Sequence, residues 1–147
     1  MGNYTELNIE LAVKVTDNVL HVLEFMTGQS EDKNFEIPTH PLFKSPRWEY
    51  MLCCESAYFS HTAHSSIDDP CFGKDDADDS PKNRVLNVRC DLKNYEDEIE
   101  NFLDWIRQYT RTRGFIGYMR YEEDADPTLI YFTQDSVEYY PVRRKQV

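Results

Sequence analysis

Residues Asn94 to Thr110 read NYEDEIENFLDWIRQYT and carry the clearest helical pattern in the chain. Apolar side chains recur there at intervals of three and four residues, which places them on one face of a helix. That face consists of Tyr95, Ile99, Phe102, Leu103, Ile106 and Tyr109. Asn94 is a typical N-cap, and Asp97 follows it three residues later. We therefore predict an amphipathic helix that packs on a sheet through Ile99, Phe102 and Ile106.

The sequence around this helix predicts the sheet. Thr5–Val15 alternates strictly between apolar and polar residues, as a half-buried strand does. The other predicted elements are a helix after Thr16 that ends at Gly28, strands at Trp48–Phe59 and Arg84–Leu92, a hairpin around residues 122–127, and an edge strand near residues 137–142. This order predicts an α+β fold: an antiparallel sheet of about five strands with two helices on one face, ferredoxin-like βαββαβ plus an extra C-terminal strand.

Composition sets the domain organisation and the class of protein. A chain of 147 residues is the size of one domain, and 40% hydrophobic residues are enough for a core. We expect a mobile acidic loop at about 60–83 and a frayed basic tail at about 143–147. No apolar run approaches the roughly 20 residues of a membrane span. We therefore expect a cytoplasmic protein with no membrane partner, whose four cysteines are reduced thiols.

Net charge is the most unusual property of the sequence. The chain carries 27 acidic and 16 basic residues, a formal net charge of −11. Such a charge repels nucleic acid and favours a basic partner. The first and third predicted strands also place no aromatic residue where base stacking would need one, so we expect no direct binding of nucleic acid.

Residues 68–83, DDPCFGKDDADDSPKN, hold six aspartates. A calcium loop that starts at Asp76 would need glycine at Pro81 and glutamate at Asn87, so the EF-hand pattern fails. Three interpretations remain open for these aspartates: a solvated insertion, a contact site for a basic partner and a weak cation site.

Acidic side chains in three segments are candidates for such a contact surface. The candidates are Asp75, Asp76, Asp78, Asp79, Asp97, Glu100, Asp104, Glu122, Glu123 and Asp124. Their number and the size of the chain suggest a non-enzymatic interaction domain. In a more specific form of this hypothesis, the domain is a phage or mobile-element inhibitor that mimics nucleic acid and binds a basic, nucleic-acid-handling host protein.

The alternative is a small hydrolase or metal-binding protein that uses His61, His64 and Cys53. Zinc accepts mixed histidine and cysteine ligands, but His-x-x-His is tighter than the usual spacing and no Cys-x-x-Cys is present. No glycine-rich phosphate loop and no paired catalytic motif stand out either. We therefore expect no catalytic residues, no metal and no cofactor. The identity of the partner and the oligomeric state stay open.

Overall fold

The computed structural model describes residues 3–59, 61–70 and 81–145. Its strands form one antiparallel sheet with the order β2-β3-β1-β4-β5-β6. The elements are β1 (Thr5–Val15), α1 (Asp17–Met26), β2 (Ser66–Asp68), β3 (Lys82–Leu92), α2 (Glu98–Arg107), β4 (Gly114–Tyr121), β5 (Thr128–Phe132) and β6 (Val137–Pro141). The fold is therefore α+β with two described helices, and the sheet has six strands rather than five. This strand order does not confirm the ferredoxin-like arrangement.

The apolar face of β1 forms the centre of the core. Alternation along β1 and β3 sends their apolar residues to one side of the sheet, where α2 packs on them. The residues of this contact are Leu7, Ile9, Leu11, Leu86, Val88, Ile99, Phe102 and Ile106, each no more than 2% exposed and all in one hydrophobic cluster. The predicted packing of the helix on the sheet is thus confirmed.

Helix α1 follows its predicted pattern. The side chain of Thr16 accepts a hydrogen bond from the backbone N–H of Val19 at 3.4 Å, which caps the first turn. Its apolar stripe is buried in the same core and consists of Val19, Leu20, Val22, Leu23 and Met26. Gly28, just beyond the helix, has a φ of +80°, a conformation that favours glycine after a helix end.

Helix α2 begins at Glu98, four residues after Asn94, which was predicted to cap it. The side chain of Asn94 still accepts a hydrogen bond from the N–H of Ile99 at 2.8 Å, so it caps the helix from a distance. Asp97 bridges the two with a φ of +57°. Tyr95, expected on the buried face, is 57% exposed, whereas Trp105 and Glu98 are buried. The predicted face residues Ile99, Phe102, Leu103 and Ile106 are buried, and the helix buries Glu98 and Trp105 in addition.

The predicted strand at Trp48–Phe59 is wrong. This region forms short 3-10 helices at Pro46–Glu49 and Met51–Cys53, after another at Pro41–Lys44. Proline suits the first position of such a turn, because its missing N–H has no partner there. Trp48, Met51 and Leu52 are buried at helical spacing, so these turns contribute one apolar side to the core.

The segment after these turns runs beside the outer edge of β3. The backbone N–H of Asp91 donates to the carbonyl of Cys54, and His64 exchanges two backbone hydrogen bonds with Arg89. Strand β2 then pairs with residues 85–87 of β3, within a region expected to be a loop. Residues 71–80, the centre of that expected loop, lie outside the described residues, as do 146 and 147 of the expected frayed tail.

The predicted hairpin and edge strand are confirmed. Strands β4 and β5 pair on either side of residues 122–127, and β6 pairs with β5 at the edge of the sheet. A bulge in β4 places Gly117 against β1 with a φ of +151°. A Cβ at this position would lie 2.0 Å from the carbonyl oxygen of Asn8, so only glycine permits the β1–β4 pairing. Among the described residues, no helix has both the length and the apolar composition needed to cross a membrane.

Candidate functional site

A row of charged side chains crosses the polar face of the sheet, the side opposite the helices. Glu6 on β1 has Asp91 of β3 and Arg120 of β4 as its register neighbours. Because successive side chains alternate between the two faces of a strand, all three point away from the core. Nε of Arg120 donates a hydrogen bond to Oε1 of Glu6 at 3.0 Å.

Residues 55–59 and 61–63 lie over this row and add a histidine. Nε2 of His61 lies 2.8 Å from Oε2 of Glu6 and 3.4 Å from Oδ1 of Asp91. The ring of Phe59 stacks beside His61, and the guanidinium of Arg120 lies over the same ring at 5.2 Å. Glu6, His61, Asp91 and Arg120 are called the carboxylate–histidine cluster below.

Each carboxylate of the cluster has one oxygen held by a donor and one oxygen that faces His61. On Glu6 the held atom is Oε1, bound by Arg120. On Asp91 it is Oδ2, which accepts a hydrogen bond from the backbone N–H of Ser56 at 3.3 Å. The remaining oxygen of Asp91, Oδ1, is buried and has no hydrogen-bond partner. One oxygen of each carboxylate thus has a donor outside the cluster centre, whereas Oδ1 of Asp91, which faces His61, accepts no hydrogen bond.

Burial makes this arrangement electrostatically demanding. Glu6 is 5% exposed and Asp91 is fully buried. Burial raises the pKa of Asp91, while the nearby His61 and the hydrogen bond from Ser56 oppose that rise. Two carboxylates and one guanidinium leave one negative charge, which a proton on His61 or a bound cation would balance. The chemistry open to the cluster is therefore proton exchange or cation binding.

His61, His64 and Cys53 are not brought together. The side chain of His64 is exposed, and its backbone pairs with Arg89 on the edge of β3. Sγ of Cys53 donates to the carbonyl oxygen of Met26, beside the end of α1, and burial raises the pKa of this thiol. Within residues 3–59, 61–70 and 81–145, His61 is the one of the three that belongs to a group of metal-ligating side chains. Its neighbours there, Glu6 and Asp91, were not predicted as site residues.

The predicted acidic residues of α2 do form one surface. Asp97, Glu100 and Asp104 lie on one side of α2, near Tyr139 of β6. Burial is the largest cause that raises the pKa of Tyr139 well above its usual value. The negative charges of Glu100, Asp104 and Asp97 raise this pKa further. These three carboxylates are called the α2 acidic row below.

Two members of this row have polar contacts. Nδ2 of Asn94 donates to Glu100 at 2.6 Å, and Nε2 of His40 lies 2.9 Å from Asp104. Over residues 3–59, 61–70 and 81–145, none of the three carboxylates forms an ion pair with lysine or arginine. The row therefore keeps most of its negative charge available to solvent.

The other predicted acidic residues lie elsewhere. Glu122, Glu123 and Asp124 form the turn after β4, where the side chain of Glu122 accepts a hydrogen bond from the N–H of Tyr4 at 3.0 Å. This turn is at the end of the sheet where Thr5 pairs with Leu92 and Tyr121, the same end at which α2 begins.

The aspartates Asp75, Asp76, Asp78 and Asp79 lie outside the described residues. Strand β3 begins at Lys82, which pairs with Val15 at the other end of β1 from Thr5. Helix α2 runs back toward that end, since Thr110, just after it, pairs with Val13. Glu122–Asp124 therefore lie at the Thr5 end of the sheet, and the residues from Asp97 to Asp104 extend away from it.

An aromatic row on the polar face was missed by the sequence analysis. The ring of Tyr131 on β5 lies 5.6 Å from Phe115 of β4 and 5.3 Å from Tyr140 of β6. Phe115 is 55% exposed and Tyr140 is 49% exposed. The expectation that aromatic residues are missing was based on the first and third predicted strands, whereas this row crosses β4, β5 and β6.

Comparisons with protein-family models, with curated protein sequences and with solved structures find no match to the chain.

Proposed function

We propose that this protein is a non-enzymatic interaction domain that binds a basic protein through the α2 acidic row. The observation that carries the proposal is the spacing of Asp97, Glu100 and Asp104, which lie three and four residues apart on one side of α2 and, among the described residues, form no ion pair with lysine or arginine. Three negative charges on one side of a helix act together on a cationic partner. The turn at Glu122–Asp124 lies at the end of the sheet where α2 begins, so it adds negative charge at that end.

The spacing of the row supports a partner that normally binds phosphates. Residues 97, 100 and 104 follow one another by about 4.5 and 6 Å along the helix axis, at 1.5 Å per residue. Phosphates along one strand of B-DNA rise by about 3.4 Å each. The charges of the row are spaced more widely than the phosphates of one strand, by less than a factor of two. The proposal includes a more specific identity for the protein, a cytoplasmic phage or mobile-element inhibitor that mimics nucleic acid.

Matched charge variants test the proposal. One variant combines Asp97→Asn, Glu100→Gln and Asp104→Asn, and asparagine suits the left-handed backbone of residue 97. The control combines Glu31→Gln, Asp32→Asn and Glu36→Gln, three exposed residues of the connection after α1. Both variants change the net charge by the same amount, so general electrostatic attraction is equal in the two.

Each protein is used to capture partners from a lysate of the native host at low and at high salt. We expect wild type and the control to capture the same basic protein, and duplex DNA to displace it. The α2 variant should lose most of this capture at about 0.15 M salt, where screening limits each charge to about 8 Å. Equal capture by the two variants would refute the role of the row.

We also infer that β2-β3-β1-β4 with α1 and α2 is a ferredoxin-like unit to which β5 and β6 are added. In support, β1 lies between β3 and β4, all neighbouring strands are antiparallel, and a helix follows both β1 and β3. An experimental structure in which β1 lacked either neighbour would contradict this inference.

A further inference from the structure

The carboxylate–histidine cluster lies on the face of the sheet opposite the helices and is separate from the α2 acidic row. Among the residues that the structure describes, Glu6, His61 and Asp91 each offer a ligand atom within 4.8 Å of the other two. The strands place the two carboxylates in register, and His61 supplies the imidazole. We propose that these three side chains bind one divalent transition-metal ion, for which Zn²⁺ is the reference probe.

The separations between the ligand atoms fit a metal ion. Nε2 of His61 lies 2.8 Å from Oε2 of Glu6 and 3.4 Å from Oδ1 of Asp91. Bonds of about 2.0–2.2 Å place neighbouring ligand atoms about 3.4 Å apart in a tetrahedral site and about 2.9 Å apart in an octahedral one. A metal ion between these three atoms therefore requires only a small adjustment of the side chains.

The contacts behind the ligand atoms are those of a metal site. Nδ1 of His61 lies 3.3 Å from the carbonyl oxygen of Thr62, so a proton on Nδ1 leaves the lone pair of Nε2 directed at the carboxylates. A histidine that binds metal commonly donates its other N–H to a carbonyl in this way. Arg120 and the N–H of Ser56 hold the outward oxygens of Glu6 and Asp91 in the same manner.

The centre of the cluster also lacks a partner that a cation would supply. Oδ1 of Asp91 is buried, faces His61 and accepts no hydrogen bond. A buried carboxylate oxygen without a donor is costly, and bonding to a metal ion removes that cost. One nitrogen and two oxygen ligands suit Zn²⁺, Mn²⁺ or Fe²⁺ better than Mg²⁺, which prefers oxygen alone.

A bound ion would link residues 59 and 61–63 to the sheet. His61 is the ligand that this segment contributes, while Glu6 and Asp91 belong to the neighbouring strands β1 and β3. Phe59 packs between His61 and Arg120, so the ring would be held in place by the same ion. The metal would thus order the cover over this end of the polar face.

Metal uptake by ligand variants tests the proposal. The full chain is stripped with EDTA, dialysed, and titrated with Zn²⁺ by calorimetry, with elemental analysis after gel filtration. We expect about one Zn²⁺ per wild-type chain, with Mg²⁺ failing to displace it. Glu6→Gln, Asp91→Asn and His61→Gln should each weaken binding at least about 100-fold, and Arg120→Gln about 10–100-fold.

The controls are His64→Gln and Asp68→Asn, an exposed histidine and an exposed carboxylate from the same part of the chain. Both should bind Zn²⁺ as wild type does. No stoichiometric uptake by wild type would overturn the proposal. Uptake that survives all three ligand variants would overturn it too, since the ion would be bound elsewhere, for example by the aspartates of residues 68–79.

A second measurement needs no variant and so does not depend on the folding of Asp91→Asn. Limited proteolysis of wild type is compared in EDTA and in excess Zn²⁺, with cleavage sites mapped by mass spectrometry. We expect Zn²⁺ to slow cleavage within residues 55–63 at least about fivefold and to leave cleavage after Arg143 unchanged. Equal cleavage of residues 55–63 in the two conditions would contradict the proposed link.

Discussion

Replacing Glu98 by glutamine should destabilise the fold far more than a change at a typical first-turn acid of a helix. The side chain is fully buried, and Nη1 of Arg47 donates to its Oε1 at 3.0 Å. The hydroxyl of Ser45 donates to the same oxygen, and the backbone N–H of Glu96 donates to Oε2 at 2.9 Å. In glutamine one oxygen becomes an NH₂ group, which faces a donor in either orientation of the amide.

The magnitude follows from these contacts. Breaking a buried ion pair typically costs about 3–5 kcal/mol. Arg47 keeps 30% of its side chain exposed, so water replaces part of what it loses, and we expect about 3 kcal/mol. For a chain near 150 residues, this corresponds to a fall in Tm of roughly 6–12 °C.

Chemical and thermal unfolding followed by circular dichroism measures the effect. The control is Glu96→Gln, an exposed side chain two residues earlier whose backbone N–H still donates to Glu98; its free energy of unfolding should stay within about 0.5 kcal/mol of wild type. A Glu98→Gln effect below about 1 kcal/mol would mean that Glu98 is solvated. The connection that carries Arg47 would then not be anchored at the start of α2.

Two further outcomes are expected. Phe102→Ala should lower the free energy of unfolding by about 3–5 kcal/mol because the ring is fully buried, whereas Ala at the exposed Gln108 should change it by less than about 0.5 kcal/mol in the same urea titration. Above pH 10 the unfolded chain loses the Tyr139 proton before the folded chain does, since burial and the α2 acidic row raise this pKa from 10.0. Stability should therefore fall as the pH rises through this range, and fall less in Tyr139→Phe. Absorbance at 295 nm should show one more late-titrating phenol in wild type than in Tyr139→Phe; the same late-titrating absorbance in the two proteins would show that Tyr139 is exposed.

Local patterns were sufficient for most elements of the fold. The period of the apolar residues identified both helices, and alternation identified β1 and β3, because in these segments one face is buried along the whole length. The region Trp48–Phe59 failed for the opposite reason. Its aromatic run resembled a strand, while the spacing of Trp48, Met51 and Leu52 and the upstream Pro46 indicated turns of a helix. In this region the spacing of the apolar residues predicts the structure better than the aromatic composition does.

The carboxylate–histidine cluster could not have been predicted from motif spacing. Glu6 and Asp91 are ordinary polar-face residues of two strands, and their contact follows from the register of β1 on β3. His61 was a candidate because His64 follows it three residues later in the sequence, but the structure does not bring the two side chains together. The sequence does place an acidic residue on the polar face near the end of each of these two strands. This placement predicts a contact only when the register of β1 on β3 is known.

The place of β1 in the sheet has a consequence for synthesis. Leu7 pairs with Cys90 on one side and with Met119 on the other, so both neighbours of the central strand are made long after it. Until β3 leaves the ribosome, β1 has no neighbouring strand to pair with, although α1 and the turns at residues 41–53 are already made. Such distant pairing slows folding and lengthens the time during which an unpaired strand is exposed. A nascent chain stalled before residue 82 would therefore be expected to recruit chaperones, and one stalled between β3 and β4 would still leave one edge of its central strand unpaired.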